Sequence, residues 1–166
     1  MNDTILHIDH ISTKYRLKSS HQMKVEEFMN KAGQEIPATP TIPNDLILEQ
    51  RLRLILEEVQ ELVEDAGFEL YCNGPLSLDT CSLMKIRPCN FPDMVDSFAD
   101  ISVVNTGLAS TCGVADVAIL EEVDEANLRK FGPGGYKDEN GKWRKPPDFV
   151  PPDLESALNK QGWNGK

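Results

Sequence analysis

Three glutamates stand close together in one segment of the sequence, at a spacing that could serve chemistry. Glu57, Glu58 and Glu61 lie in "RLRLILEEVQELVEDAG", residues 51–67. At 100° per residue, the apolar side chains of this segment form one stripe, which predicts the buried face of a helix, and the acids fall on the other side, where one ligand could contact all three. A solvated helix surface explains the same pattern, since most glutamates at helical spacing do nothing more. The predicted buried stripe consists of Leu52, Ile55, Leu56, Val59, Leu62, Val63 and Ala66.

A second acidic segment is harder to explain as the solvated surface of a helix. In "DMVDSFADISVVNTGLAS", residues 93–110, apolar residues cover most of the helical circumference, which predicts a helix buried on nearly all sides. Asp93, Asp96 and Asp100 occupy the remaining strip, and no Lys or Arg lies between residues 88 and 128. An N-cap and a first-turn acid would account for Asp93 and Asp96, but they leave Asp100 unexplained.

Converging carboxylates need compensation, because two unit charges about 4 Å apart repel by roughly 4 kcal/mol at an effective dielectric constant of 20. Such acids either keep protons or bind cations. An all-oxygen set with no nearby His or Cys favours Mg²⁺ or Mn²⁺ over Zn²⁺. Because Mg²⁺ usually bridges to phosphate oxygens, the two acidic segments together predict a phosphate compound as the partner.

Basic residues that could meet such a phosphate are concentrated near the C-terminus. Six of the seventeen Lys and Arg lie within residues 129–145, namely Arg129, Lys130, Lys137, Lys142, Arg144 and Lys145. Phosphate binding explains this cluster, and so do compensation of a helix dipole and a soluble hairpin. The sequence contains neither GxxxxGK[ST] nor GxGxxG, which excludes a P-loop enzyme.

The elements that must position these residues are predicted to be helical. Capping residues and periodicity predict helices over residues 20–32, 45–66, 93–112 and 116–131, with a proline-rich linker at 37–43. Residues 68–91 are expected to be a long loop with no more than a short piece of structure. Asn140-Gly141 predicts a hairpin, and "PPDFVPPDL" predicts a rigid extended tail. We therefore expect an all-α fold, a bundle of four to five helices with a C-terminal hairpin and an extended tail.

Composition narrows the class of protein. The formal net charge of −10 opposes binding to nucleic-acid backbones, and the N-terminus lacks the apolar region of a signal peptide. We expect a cytoplasmic protein with no nucleic-acid or membrane partner. The four cysteines form no CxxC pair, so reduced thiols are expected.

Several motifs resemble a known superfamily. "EEVQE", residues 57–61, resembles the EExxE of the all-α nucleoside triphosphate pyrophosphohydrolases, which include the MazG proteins, dimeric dUTPases and phosphoribosyl-ATP pyrophosphohydrolases. "DSFADISVVNTGLASTCGV" resembles the second acidic helix of that superfamily. "DEANLRKFGPGGYKDENGKWRKPPDFVPPDL" is similar to the endings of its phage and bacterial members. The resemblance implies a MazG-like domain over residues 20–158, between an N-terminal arm (1–19) and a C-terminal tail (159–166). A phage origin would place the protein in the host cytoplasm.

The resemblance also implies roles for individual residues. Metal ligands would be Glu57, Glu58, Glu61, Asp96 and Asp100, holding two or three Mg²⁺ or Mn²⁺ ions, and the three glutamates would also be catalytic, with Glu57 the candidate general base. Asn127 and Lys130 would bind the nucleotide, and Lys142 and Lys145 would contact phosphate. The superfamily often has ExxD in the second helix, whereas Ser97 stands three residues before Asp100 here, so Asp96 would take that place.

The expected reaction is hydrolysis of a nucleoside triphosphate to the monophosphate and pyrophosphate, in a homodimer or dimer of dimers. By analogy the substrate is a purine dNTP, dGTP or dATP; dUTP, dCTP and phosphoribosyl-ATP are alternatives. A non-catalytic acidic helical interaction protein is the rival hypothesis. Metal binding by His7 and His10 of the N-terminal arm is a lesser alternative to a tethered or disordered arm.

Overall fold

The structure is a computed structural model that describes residues 13–77, 80–139 and 141–165. The alternative metal site at His7 and His10 lies outside these residues, as does most of the expected N-terminal arm. The chain divides into two compact units. We call Pro43–Leu108 the acidic unit, and Met1–Ile42 with Ala109–Lys166 the terminal unit.

In the terminal unit, helix α1 (Ser20–Lys31) begins after the cap Ser19, whose side chain accepts the N–H of Gln22. In the acidic unit, helix α2 (Asp45–Asp65) begins after Asn44, whose side-chain oxygen accepts the N–H of Ile47 at 3.0 Å. Both helices therefore begin where a side chain satisfies one of the free N–H groups of the first turn.

The remaining elements follow in chain order. Strands β1 (Phe68–Cys72) and β2 (Cys81–Lys85) pair antiparallel, and helix α3 (Phe91–Thr111) follows them. Helix α4 (Asp116–Arg129), strands β3 (Tyr136–Lys137) and β4 (Trp143–Arg144), and helix α5 (Leu154–Gln161) complete the terminal unit. In the described part of the chain, no single helix is long and apolar enough to span a membrane, although α3 and α4 pass that test as a bent pair.

The expected all-α bundle is wrong. Helices make up about 53% of the structure, and two small antiparallel two-stranded sheets give it a mixed α/β character. Residues 68–91, which lack a sustained period, were expected to be a long loop with no more than a short piece of structure, and that structure is the hairpin β1–β2. Strands of five residues are too short to show a clear pattern, and much of their stability comes from cross-strand pairs such as Leu70 with Leu83.

Two cysteines join the strands of this hairpin. Cys72 and Cys81 are directly opposite in the antiparallel register, and they form a disulfide. The expectation that all four cysteines are reduced is therefore wrong for this pair. The sequence shows only a spacing of nine residues, whereas the strand register places the two Cα atoms 4.2 Å apart.

Side chains at the base of this hairpin form hydrogen bonds with carbonyl groups at the C-terminal end of α2. Lys85 Nζ donates to the carbonyl of Ala66 at 2.6 Å, and Arg87 Nη2 donates to the carbonyl of Glu64 at 2.7 Å. Positive side chains at the last carbonyls satisfy free acceptors and stabilise the negative end of the helix dipole. Gly67 has a φ of +84°, and an added Cβ there would lie 2.2 Å from the carbonyl oxygen of Arg87, so no other residue fits this turn without a rearrangement.

The core of the terminal unit contains buried polar side chains. Gln22 is fully buried and donates to Ser110 Oγ at 3.1 Å and to the carbonyl of Val114 at 2.8 Å. Gln161 bonds to both the N–H and the carbonyl of Ala115. The predicted extended tail, residues 146–154, contains no helix or strand before Leu154, where helix α5 begins; α5 was not predicted, and it buries Gln161. Asp153 caps that helix by accepting the N–H of Ser156.

The residues that the structure describes cover the apolar stripe of α2 only in part. No residue of α2 is buried, and Leu52 and Leu56 are 47% and 55% exposed. On α3, Phe98 is 55% exposed, although this helix was expected to be buried on nearly all sides. Both burial predictions are wrong for the single chain, because apolar periodicity shows which face avoids water but not which molecule covers it.

Candidate functional site

The register between α2 and α3 brings the two acidic segments together. Near the C-terminal end of α2, Asp65 Oδ2 accepts a hydrogen bond from Ser97 Oγ, near the start of α3, at 2.7 Å. Nearer the start of α2, Arg51 packs against Gly107, near the end of α3, because a Cβ added to Gly107 would lie 3.3 Å from Arg51 Nη1. The helices are therefore antiparallel. Glu58 comes seven residues after Arg51 and Asp100 comes seven before Gly107, and seven residues are about two helical turns. Glu58 and Asp100 consequently occupy the same level of the helix pair.

The pKa of Glu58 reflects both the burial of its carboxyl group and the acids around it. It is raised above the usual value of 4.5, first by burial and then by the negative charges of Glu61, Asp100, Glu57 and Asp96. These four acids and Glu58 are the five predicted metal ligands, contributed by two helices. Because the pKa is raised rather than lowered, nearby positive charge does not outweigh the acids.

The side chains of these five acids do not have the arrangement of a metal coordination shell. In the described ranges, no group of three or more His, Cys, Asp or Glu side chains has the geometry of a metal site. Glu57 and Glu61 are exposed and Glu58 and Asp100 are partly buried, so their side chains can change rotamer. The donor set itself fits a hard divalent cation, because it consists of oxygen ligands whose mutual repulsion a cation would relieve.

Two other acids on these helices have structural contacts instead. Asp65 accepts the hydroxyl of Ser97 and lies 3.9 Å from Arg87 Nη2, while Asp93 accepts the side-chain amide of Asn90. Ser97 is buried. The serine that departs from the ExxD pattern thus joins α3 to α2, and Asp96 rather than residue 97 adds to the acidic cluster around Glu58.

Of the predicted nucleotide-binding residues, two are in direct contact. Lys130 Nζ donates to Asn127 Oδ1 at 2.6 Å at the end of α4, and the carbonyl of Lys130 accepts the indole N–H of Trp143 at 2.5 Å. The indole thereby fixes the end of α4 to the hairpin β3–β4. These residues belong to the terminal unit, whereas the acids belong to the acidic unit.

The two weaker phosphate candidates are arranged differently from each other. Lys145 follows the last residue of β4, and its Nζ lies 4.6 Å from the centre of the Phe149 ring. Lys142 precedes β4, and its backbone N–H donates to Asp138 Oδ1 at 2.8 Å.

Sequence reasoning missed Trp143 and its neighbour Phe131. Their ring centroids are 4.8 Å apart, with the planes tilted by 40°. A tryptophan immediately after a hairpin turn and inside a basic cluster was the available signal, but the pairing with Phe131 depends on how the hairpin folds back against the end of α4.

Comparison with known proteins finds no family model that matches the chain and no curated protein with significant similarity. The resemblance to the nucleoside triphosphate pyrophosphohydrolases thus rests on the sequence motifs alone.

Proposed function

We propose that the protein is a metal-dependent nucleoside triphosphate pyrophosphohydrolase, which converts a purine dNTP such as dGTP or dATP to the monophosphate and pyrophosphate. One observation carries the proposal: the antiparallel register of α2 and α3 brings five acids of the two helices together at one level, where burial and the charges of the other four raise the pKa of Glu58. A chain with a net charge of −10 gains nothing in stability from concentrating five carboxylates in one place. A cation-binding role explains why they converge.

The carboxylates of Glu58, Glu61, Asp96 and Asp100 would hold Mg²⁺ or Mn²⁺ through oxygen atoms. When bound, such ions polarise a phosphoryl group and lower the pKa of a coordinated water. Glu57 is exposed, so its carboxylate is accessible to water. In this proposal Glu57 would accept the proton of the attacking water as general base.

The terminal unit would bind the nucleotide. The ammonium group of Lys130, held by Asn127, would bind a phosphate oxygen and offset charge on the departing pyrophosphate. We expect the Lys130→Met variant to fold normally and to lose at least tenfold in kcat/KM, because its ammonium group is replaced while the Lys130 backbone carbonyl still accepts the bond from Trp143.

Exposed apolar side chains support assembly of two or more copies. In the acidic unit, Leu56, Val59, Val63, Leu70 and Leu76 line a groove of about 380 Å³. Leu56 and Leu76 are 55% and 65% exposed. Contiguous apolar surface of this kind is typical of interaction sites, and the proposed occupant is a second copy of the chain, in a homodimer or a dimer of dimers.

The test is pyrophosphate release from all common NTPs and dNTPs in Mg²⁺ and in Mn²⁺. We expect a purine dNTP to be the best substrate and chelation to abolish the reaction. Asp100→Asn should be inactive, whereas Asp93→Asn, on the same helix but outside the cluster around Glu58, should retain activity. No release from any substrate by folded protein would leave the rival, a non-catalytic interaction protein, as the better account.

A further inference from the structure

An aromatic pair stands open to solvent at the end of α4. Phe131 is 63% exposed and Trp143 is 37% exposed, and their rings contact each other. The indole N–H is already satisfied by the carbonyl of Lys130, so the pair is held in place while much of its apolar surface contacts water. Rigid exposed aromatic surface is characteristic of binding sites, because it offers a large contact area at little entropic cost.

Three lysines lie on the segments that carry this pair. Lys137 is directly opposite Trp143 in the β3–β4 register, so the two share a face of the hairpin. Lys130 immediately precedes Phe131 and accepts the indole N–H through its carbonyl, and Lys145 follows Trp143 by two residues in the chain. Among the residues that the structure describes, none of these three lysines forms an ion pair with a carboxylate, although acids outnumber bases by ten in the chain.

The opposite face of the same hairpin is different. Tyr136 is directly across from Arg144, and Arg144 Nε forms an ion pair with Asp138 Oδ2 at 2.7 Å. Positive charge on that face is therefore neutralised within the protein. An anion that approaches the hairpin is attracted more strongly to the face of Trp143, because the contacts described for the lysine ammonium groups there, Lys130 with the Asn127 amide and Lys145 with the Phe149 ring, leave their charge unneutralised.

We propose that Phe131 and Trp143 form a platform on which the base of a nucleoside triphosphate stacks, while Lys130, Lys137 and Lys145 bind its phosphates. The inference rests on the proposed function for the choice of ligand. One aromatic pair accommodates one base, and the net charge opposes a polyanion, so the ligand is a mononucleotide rather than a nucleic-acid strand. Stacking favours the larger purine ring system without distinguishing guanine from adenine by hydrogen bonds.

The experiment measures binding without hydrolysis. In EDTA, a Trp163→Phe variant leaves Trp143 as the only tryptophan, and its fluorescence is titrated with dATP, dTTP and inorganic tripolyphosphate. We expect dATP to quench Trp143 and to bind more tightly than dTTP, and tripolyphosphate to bind at least fivefold more weakly than dATP. In the same background, Phe131→Ala should weaken dATP binding by about 5- to 150-fold, the range for loss of one base–aromatic stack.

Two variants control this result. Tyr136→Ala removes an equally exposed aromatic ring from the opposite face and should leave the dATP affinity unchanged. Phe131→Tyr keeps the ring and should retain wild-type affinity. Circular dichroism verifies that each variant is folded, and light scattering verifies that Phe131→Ala keeps the oligomeric state of the parent.

Several results would overturn the platform. They are equal binding of tripolyphosphate and dATP, tighter binding of a dT oligonucleotide than of dATP, and a changed oligomeric state in Phe131→Ala, which would make the pair a contact between copies. Quenching by dATP without pyrophosphate release in the substrate panel would refute the proposed hydrolysis and leave the platform standing. If Phe131→Ala hydrolyses the dNTP with an unchanged KM, the platform is refuted and the proposed hydrolysis stands.

Discussion

Replacing Glu58 with glutamine tests the acidic cluster most directly. The substitution keeps the side-chain shape and removes one of five interacting charges. Like charges three or four residues apart on a helix destabilise by about 0.2–0.5 kcal/mol per pair. With four acidic neighbours on two helices and partial screening by water, Glu58→Gln should gain about 1 kcal/mol without metal. For a chain of 166 residues, this is roughly 2–4 °C in Tm.

Divalent metal should reverse the order of the two proteins. At a Mn²⁺ concentration about 100 times Kd, binding stabilises the folded state by about 2.7 kcal/mol, which raises the Tm of the wild type by roughly 5–11 °C. Glu58→Gln loses a central ligand and should gain far less. The wild type is therefore expected to melt below the variant in EDTA and above it in Mn²⁺.

Differential scanning fluorimetry in EDTA and in a Mn²⁺ series measures this crossover. Glu64→Gln is the matched control, because Glu64 lies on the same helix and is not among the charges that raise the pKa of Glu58. It should melt like the wild type in both conditions. The reasoning is refuted if Glu58→Gln is destabilised in EDTA, or if Mn²⁺ raises the Tm of all three proteins equally.

Three further predictions address pH, the cysteines and assembly. Because folding raises the pKa of Glu58, the contribution of this residue to metal-free stability is fully present below the unfolded pKa near 4.5 and is lost as pH rises through the folded pKa. In thermal melts in EDTA, the Tm advantage of Glu58→Gln over the wild type should therefore grow with pH. A Tm difference that stays constant with pH would contradict this. Thiol titration of the unfolded, unreduced protein should find two thiols per chain and four after reduction, whereas four before reduction would exclude the Cys72–Cys81 disulfide. Leu56→Lys should convert the oligomer to monomer in light scattering, and an unchanged mass would place the interface elsewhere.

The helices that carry the site were predictable from local signals. Asn44 and the apolar period from residue 46 onward indicated α2, and the sequence expected its end within two residues of Asp65. The expected bounds of α3 and α4 likewise agree with the structure to within two residues. Capping and periodicity are properties of neighbouring residues, so a sequence displays them directly.

Other features depended on contacts between distant residues. The hairpin β1–β2 forms through cross-strand pairs and a disulfide that no local pattern announces. The pairing of Phe131 with Trp143 requires the chain to fold back over twelve residues. The exposure of Leu56 also came only from the structure, since an apolar stripe predicts burial without naming the partner.

By itself, the sequence determined the inventory of acids and the helix faces that carry them, because spacing along a helix fixes direction around its axis. It could not determine which acids face one another. The tertiary structure decided that, through the antiparallel register set by Asp65 with Ser97 and by Arg51 beside Gly107, which places Asp100 level with Glu58. Coulombic repulsion depends on distance in space, and so the raised pKa of Glu58 is a property of the packed helix pair.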